Sequence, residues 1–354
     1  MASEKVDSSP QRILVVRTDR IGDALLSTPV ISNLRKAYPD AHLAFLVSSQ
    51  SREVLEGNPE LNEVILDDAG AKDGGLRGML NQVRLIRKKR FDAAIVLHPS
   101  LRLALMLFLA GIPDRIGTGY RAYSLLFNRR VREHRKYAER HELEYNLSLL
   151  RPLGIRPEAV APRVHLNQKD RDFGEKLLQQ YAISHVPFAI IHPGSRGSSR
   201  DWPLENFAAL GDRIQEELGL KVVVTGGKDE LVEVEHLLAM MRTKAVSLAG
   251  KTTLKQLVAL TEQARTFISN STGPMHVAAA SGIPVLAFFP PIRASSPKRW
   301  GPWGKGHVIL QPDVPVCKKC KPEKCRFGDC MARITVEEAF RNTCSVLNRR
   351  GKGR

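Results

Sequence analysis

Aromatic residues make up only 6% of the 354 positions, cysteine occurs five times, and 37 Asp and Glu face 54 Lys and Arg. So few aromatics, with no recognisable nucleic-acid-binding motif, argue against a protein built to hold nucleic acid. Four of the cysteines, Cys317, Cys320, Cys325 and Cys330, lie close together, with Cys344 apart, so a disulfide framework does not organise the chain. No apolar run reaches the roughly 20 residues that span a bilayer. The nearest candidate, Leu101 to Pro113, is short and interrupted by Arg102. The polar start Met1-Ala2-Ser3-Glu4-Lys5 has no signal-peptide core, which predicts a cytoplasmic protein. The loop from His192 to Arg200 has no Gly-Lys-Ser/Thr ending, so it is not a Walker phosphate loop.

What is present is positive charge. The formal net charge of +17 predicts an anionic partner, and it is unevenly spread. From Arg77 to Arg140 there are 15 Lys/Arg against 4 Asp/Glu, too dense for ordinary solvation of a surface. A hydrophobic content of 43% over this length suits a soluble protein with two cores.

Short apolar strands alternate with helical segments in both halves. In the first, strands are expected at Ile13–Val16, Leu43–Val47, Val64–Leu66 and Ala93–Leu97, with helices over Ile21–Tyr38 and Leu76–Lys89. The pattern breaks in a Pro-rich stretch from Arg151 to Arg163 and then restarts. Strands at Phe188–Ile191, Val222–Val224, Thr266–Ser269 and Val285–Phe289 alternate with helices at Leu204–Leu218, Glu230–Met241, Leu254–Thr261 and His276–Ser281. Continuous apolar strands separated by helices indicate parallel sheets covered on both faces. The expected fold is α/β, with two doubly wound Rossmann-like domains facing a cleft at the carboxyl ends of their strands. The domains are placed at 1–165 and 166–354, with a linker near 150–187 and a C-terminal helix that packs back on the first domain.

Three strand-end loops carry the candidate chemistry. Arg17-Thr18-Asp19-Arg20-Ile21-Gly22-Asp23 follows the first strand and puts Asp23 in the first turn of a helix. The helix dipole there is expected to lower the pKa of Asp23, with Arg17 and Arg20 at hand to hold it or an anion. His192-Pro193-Gly194-Ser195-Arg196-Gly197-Ser198-Ser199-Arg200 follows a strand of the second half and suits phosphate through backbone N–H groups, hydroxyls and guanidinium. Thr225-Gly226-Gly227-Lys228-Asp229-Glu230 allows close approach of a nucleoside. Asn270-Ser271-Thr272-Gly273-Pro274-Met275-His276 ends a buried strand and opens a helix, a seat for a diphosphate at its free N–H groups.

Asp19-Arg20-Ile21-Gly22-Asp23, His192-Pro193-Gly194 through Arg200-Asp201-Trp202-Pro203, Leu248-Ala249-Gly250-Lys251-Thr252 and Asn270 to His276 occur in one order and spacing. Together they resemble the ADP-heptose-dependent lipopolysaccharide core heptosyltransferases, glycosyltransferase family 9, over roughly residues 12 to 345. The resemblance implies a GT-B architecture with an N-terminal acceptor domain and a C-terminal nucleotide-sugar domain. It implies an inverting transfer of heptose from ADP-L-glycero-D-manno-heptose to a Kdo-lipid A type acceptor. Asp23 matches the catalytic base, Arg200 the basic residue on the donor diphosphate, and Thr272, Gly273 and His276 the donor loop. Ser195, Arg196, Gly227, Glu230 and Ser271 complete the expected donor set. Ser271 stands where many members carry aspartate, so a hydroxyl replaces a carboxylate there.

The expected partners are a nucleotide-sugar donor, an anionic glycolipid acceptor and the inner face of the inner membrane, which the basic region from Arg77 to Arg140 would meet electrostatically. No nucleic-acid partner, catalytic metal or other cofactor is expected. Cys317 and Cys320 open like a metal site, but the spacing to Cys325 and Cys330 matches no zinc ribbon, so a structural metal is not expected either. Two alternatives remain: a family member with another nucleotide-sugar or acceptor, and a basic nucleic-acid-binding protein with a four-cysteine metal module.

Overall fold

The structure, a computed structural model, describes residues 10–67, 75–321, 323 and 325–350, with residues 349 and 350 described by their backbone alone. The polar start and the last four residues of the basic tail lie outside that range. The chain divides into two compact units, one of residues up to 134 with 142–160, the other of 135–141 with 161 onward.

In the first unit β1 (Arg12–Val16) leads to α1 (Ile21–Leu25), α2 (Thr28–Ala37) and β2 (His42–Val47). Then come β3 (Glu63–Leu66), α3 (Gly75–Lys88), β4 (Ala93–Val96), α4 (Leu101–Leu109), β5 (Asp114–Thr118), β6 (Arg129–Val131) and α5 (Glu142–Ser148). The six strands form a parallel sheet in the order β3-β2-β1-β4-β5-β6. Ile13 to Val16, Leu43 to Val47 and Ala93 to Val96 are completely buried, as expected of strands covered by helices on both faces.

The single helix expected over Ile21–Tyr38 is two. Pro29, at the start of α2, has no N–H to continue the ladder. At the break the Ser27 hydroxyl donates to the Asp23 carbonyl at 2.7 Å and the Thr28 hydroxyl to the Leu25 carbonyl at 2.9 Å. Strand β5 and the edge strand β6 (Asp-Arg-Ile-Gly-Thr and Arg-Arg-Val) escape sequence reading because their apolar residues are too few to make a pattern.

The second unit contains α6 (Gln168–Gln180), β7 (Phe188–His192), α7 (Leu204–Leu218), β8 (Lys221–Val224), α8 (Leu231–Met240), β9 (Val246–Ser247) and α9 (Leu254–Gln263). It continues through β10 (Thr266–Asn270), α10 (Gly273–Ala280), β11 (Val285–Phe288), α11 (Pro297–Trp300), β12 (Val308–Leu310) and α12 (Val336–Arg350). Its parallel sheet has the order β12-β11-β10-β7-β8-β9. The sheet is sandwiched between one cluster around Phe207, Ile214 and Phe288 and another around Leu178, Phe267 and Met275.

One expectation needs correction. The stretch 150–187 is not all linker: Asn167 and Asp170 form a reciprocal cap that starts α6. Leu177 and Leu178 of that helix then pack into the second unit's core. The C-terminal helix α12 also belongs to the second unit, where Ala339 and Phe340 join the core under Trp202 and Phe288.

Candidate active site

In the first sheet the connection leaving β1 runs toward β2, whereas the one leaving β4 runs toward β5. The carboxyl ends of these neighbours are a topological switch point, the usual ligand position in open α/β sheets. Arg17, just past β1, is 1% exposed, and its backbone N–H donates to the Leu46 carbonyl at 3.0 Å. Its guanidinium serves four acceptors: Asp19 through Nε at 2.7 Å, Glu142 and Asn146 through Nη1 at 3.0 and 3.1 Å, and Asp23 through Nη2. The hydroxyls of Ser48 and Ser51 each donate to the Asp19 carbonyl at 3.1 Å and pin the loop.

Three carboxylates thus surround one cation in a largely dry site. Burial opposes the charge of Arg17, but the carboxylates of Asp23, Asp19 and Glu142 outweigh it and hold the guanidinium protonated. Asp23 behaves oppositely to the expectation from its helix position. Burial, with lesser contributions from Asp19 and Glu142, overcomes the pull of Arg17 and raises its pKa to about 6. The five-residue α1 supplies too little dipole to reverse this. Arg20 does not share in the cluster's burial; it is exposed at the N-cap of α1.

Sequence reading missed three members of this constellation. Glu142 and Asn146 come from α5, 125 and 129 residues from Arg17, and are fully buried. His98 follows β4 across the switch point and places Nδ1 3.2 Å from the Asp19 carboxylate. Only its position just after a buried apolar strand could have drawn notice.

The second unit repeats the arrangement. The loops after β10, β7 and β8, three adjacent strands, bring the predicted donor residues to one sheet edge. Asn270, fully buried, fastens the β7 loop at both ends: its Nδ2 donates to the Pro193 carbonyl at 2.5 Å, and its Oδ1 accepts from the Trp202 N–H at 2.9 Å. Trp202 is anchored below by stacking on Phe288 at 4.1 Å and by its indole N–H to the Ile334 carbonyl at 2.9 Å. Arg196, at φ 49°, and Gly197, at φ 69°, turn the loop through left-handed conformations.

Glu230 lies beneath two glycines. Its Oε2 accepts from the Gly227 N–H at 2.6 Å, and a Cβ on Gly194 would stand 2.2 Å from its Oε1. Arg196 pairs with Asp229 at 2.6 Å, and a Cβ on Gly227 would strike the same guanidinium. His192 bridges toward this group, with Nδ1 3.0 Å from the Thr225 hydroxyl and Nε2 3.8 Å from Glu230. Burial drives its pKa down to about 4, so it is neutral at physiological pH. Arg200 faces Asp329 at 3.7 Å.

Thr272 is the N-cap of α10, in extended conformation, and its hydroxyl makes no cap bond. The helix begins at Gly273, three residues before its predicted start, with Pro274 in its first turn. Ser271 is held by its own N–H to the Phe288 carbonyl at 3.0 Å, which leaves the side chain uncommitted by that bond. His276 is 7% exposed, its Nδ1 has no partner among the described residues, and burial holds its pKa down to about 3. Ser195 is likewise buried with an unpaired Oγ. Unpaired buried polar atoms are costly, and several at one sheet edge are a feature of a ligand seat.

All five cysteines are free; Cys330 is buried, and burial pushes its thiol pKa up. Among the described residues no three or more His, Cys, Asp or Glu are grouped to hold a metal ion. Nor is any helix among them long and apolar enough to cross a membrane.

Two doubly wound Rossmann-like units with loop sites at their carboxyl edges define the GT-B class of glycosyltransferase fold. The sequence model of glycosyltransferase family 9 (heptosyltransferase) matches residues 79–331, and the chain belongs to that family. It is 31% identical to lipopolysaccharide heptosyltransferase 2 of Escherichia coli K12 over 294 residues, 79% of this chain and 83% of the relative. Among solved structures it is similar to a family 9 glycosyltransferase of Veillonella parvula, with a TM-score of 0.82, 25% identity, and coverage of 96% of this chain and 97% of that one. It is also similar to the E. coli ADP-heptose lipopolysaccharide heptosyltransferase II, with a TM-score of 0.78 at 24% identity over 96% and 99% of the chains. The protein is therefore a glycosyltransferase enzyme.

Proposed function

We propose that this enzyme transfers heptose from ADP-L-glycero-D-manno-heptose to the inner core of lipopolysaccharide, on a Kdo-lipid A type acceptor, with inversion at the anomeric carbon. The first unit takes the acceptor and the second the nucleotide-sugar. Family membership and the similarity to lipopolysaccharide heptosyltransferases support the substrate pair. The observation that carries the chemistry is the Asp23 carboxylate, clamped on Arg17 and raised to a pKa of about 6. A general base works best with a pKa near the operating pH, where it is mostly ionised yet still basic.

In this mechanism Asp23 accepts the proton of the acceptor hydroxyl while that oxygen forms its bond to the anomeric carbon. The bond to the ADP phosphate oxygen breaks, and ADP leaves with the electron pair. Arg17 fixes the carboxylate, and Glu142 and Asn146 fix Arg17. The developing diphosphate charge meets the first-turn N–H groups of α10, the Thr272 and Ser195 hydroxyls, and the cations of Arg196 and Arg200. Gly194 and Gly227 let the nucleotide approach the backbone over Glu230, with Ser271 and the neutral His276 beside it. Fixed donors placed where charge develops are the larger catalytic contribution, and they act without a divalent cation. Turnover is accordingly expected to survive a chelator. The enzyme works at the cytoplasmic face of the inner membrane, held peripherally by basic residues of the first unit in an association that weakens with ionic strength.

The test is incubation with ADP-heptose and truncated core acceptors, reading product mass. Asp23→Ala should lower kcat by about 10²–10⁴-fold. Turnover within a few-fold of the parent enzyme would remove Asp23 from the role of base.

A further inference from the structure

Helices α3 and α4 lie side by side on one face of the first sheet, joined by a hydrogen bond from the Arg87 guanidinium to the Leu109 carbonyl. Their inner faces are ordinary core: Val83, Ile86, Leu103, Ala104, Met106 and Leu107 pack on the strands. Their outer faces are not ordinary surface. Leu76 is 72% exposed, Leu101 60% and Phe108 48%, and Leu80, Leu85 and Leu109 are exposed beside them. Single exposed leucines need no explanation, whereas six large apolar side chains on two adjacent helices do.

The charge on these helices has one sign. They carry five Lys or Arg and no Asp or Glu. Arg102 is paired with Asp67 from outside the two helices. Arg77, Arg84, Arg87 and Lys88 are exposed among the leucines, and the Arg115 guanidinium sits 5.4 Å above the Phe108 ring. Leucine and phenylalanine interleaved with arginine and lysine, without a carboxylate, is the composition of a helix lying in a lipid headgroup region. The apolar side chains enter the acyl boundary while the long basic side chains reach the phosphates. A second copy of the chain would bring like charges together on this face, and a nucleic acid would gain little from leucine.

We propose that the outer face of α3 and α4 docks on an anionic bilayer, inserting its leucines and phenylalanine past the lipid phosphates into the acyl boundary. This rests on the reading above only in placing the acceptor within a membrane, and vesicle docking itself is measured without either substrate. The probes are vesicles of phosphatidylcholine with or without phosphatidylglycerol, and the full chain carrying Leu80→Trp or, as control on the second unit, the exposed position Val232→Trp.

Cosedimentation should be at least tenfold stronger with phosphatidylglycerol and fall with salt. The Leu80→Trp emission should shift to the blue and be quenched by lipids brominated on the acyl chain, with Val232→Trp unaffected. The triple variant Leu76→Ser, Leu80→Ser, Leu85→Ser should lose at least tenfold in vesicle binding. Transfer to a lipid-free truncated acceptor should stay within twofold, which separates failure of docking from failure of the transferase reading. Vesicle binding unchanged in the triple variant, absence of acyl-chain quenching, a dimer dissolved by the same substitutions, or preferential binding of an oligonucleotide would each overturn the proposal.

Discussion

The three carboxylates around Arg17 make a quantitative prediction about Glu142, a residue that touches no substrate in the proposed mechanism. Glu142 and Asp23 sit on the two terminal nitrogens of one guanidinium, Glu142 at 3.0 Å. That sharing keeps the two charges within about 7 Å of each other, where an effective dielectric constant near 20 gives a repulsion of about 2.4 kcal/mol. As an upper bound this is worth nearly two pKa units on Asp23, and about one is expected after relaxation of Arg17 toward its remaining partners. Glu142→Gln keeps an acceptor oxygen for Arg17 and removes the charge, so Asp23 should ionise more easily. The acid limb of kcat/KM, expected near pH 6 for the parent, should then move to about pH 5. At pH 5 the ionised fraction of Asp23 rises from about one-tenth to about one-half, so activity at pH 5 relative to pH 8 should increase about fivefold. The assay is ADP release across pH 4.5 to 9, each variant normalised to its own plateau. A merely structural role would lower the plateau and leave the limb in place. A limb that stays put or moves upward would refute the charge argument.

The same raised pKa carries a stability cost. A carboxyl whose folded pKa exceeds its unfolded value favours the fold while protonated and loses that contribution as pH rises from its unfolded value through about 6. Asp23→Asn should therefore stabilise the protein at pH 8 by up to about 3 kcal/mol and change little at pH 4, as denaturant melts at the two pH values would show. In the second unit, Gly194→Ala puts a Cβ 2.2 Å from Glu230 Oε1 and must displace the carboxylate that holds the Gly227 N–H. The expected result is a rise in KM for the nucleotide-sugar of about tenfold with a smaller change in kcat, the pattern of a lost binding interaction.

Much of the fold was legible in the sequence because its central strands are unbroken apolar runs. Ile13–Val16, Leu43–Val47 and Thr266–Ser269 read as buried strands, and helices of regular period between them indicated a parallel, doubly wound sheet. What was lost lay where polarity masks geometry. Strand β5 and the edge strand β6 carry Asp and Arg, α6 lies inside the expected linker, and Pro29 splits a periodic segment into two helices.

The same division holds for the site. The strand-end loops, with their glycines, arginines and helix starts, announce anion chemistry locally, since a loop after a buried parallel strand opens at the carboxyl edge of its sheet. By itself the sequence thus determined the two-unit α/β fold, the family and the loops worth testing. Only the tertiary structure decided that Asp23 is basic rather than acid-shifted. Its electrostatics depend on Glu142, brought from 125 residues beyond Arg17 to the same guanidinium, and on exclusion of water from a cluster with more negative than positive charge. Charge and burial are properties of a place in space, and the order of residues along the chain does not state them.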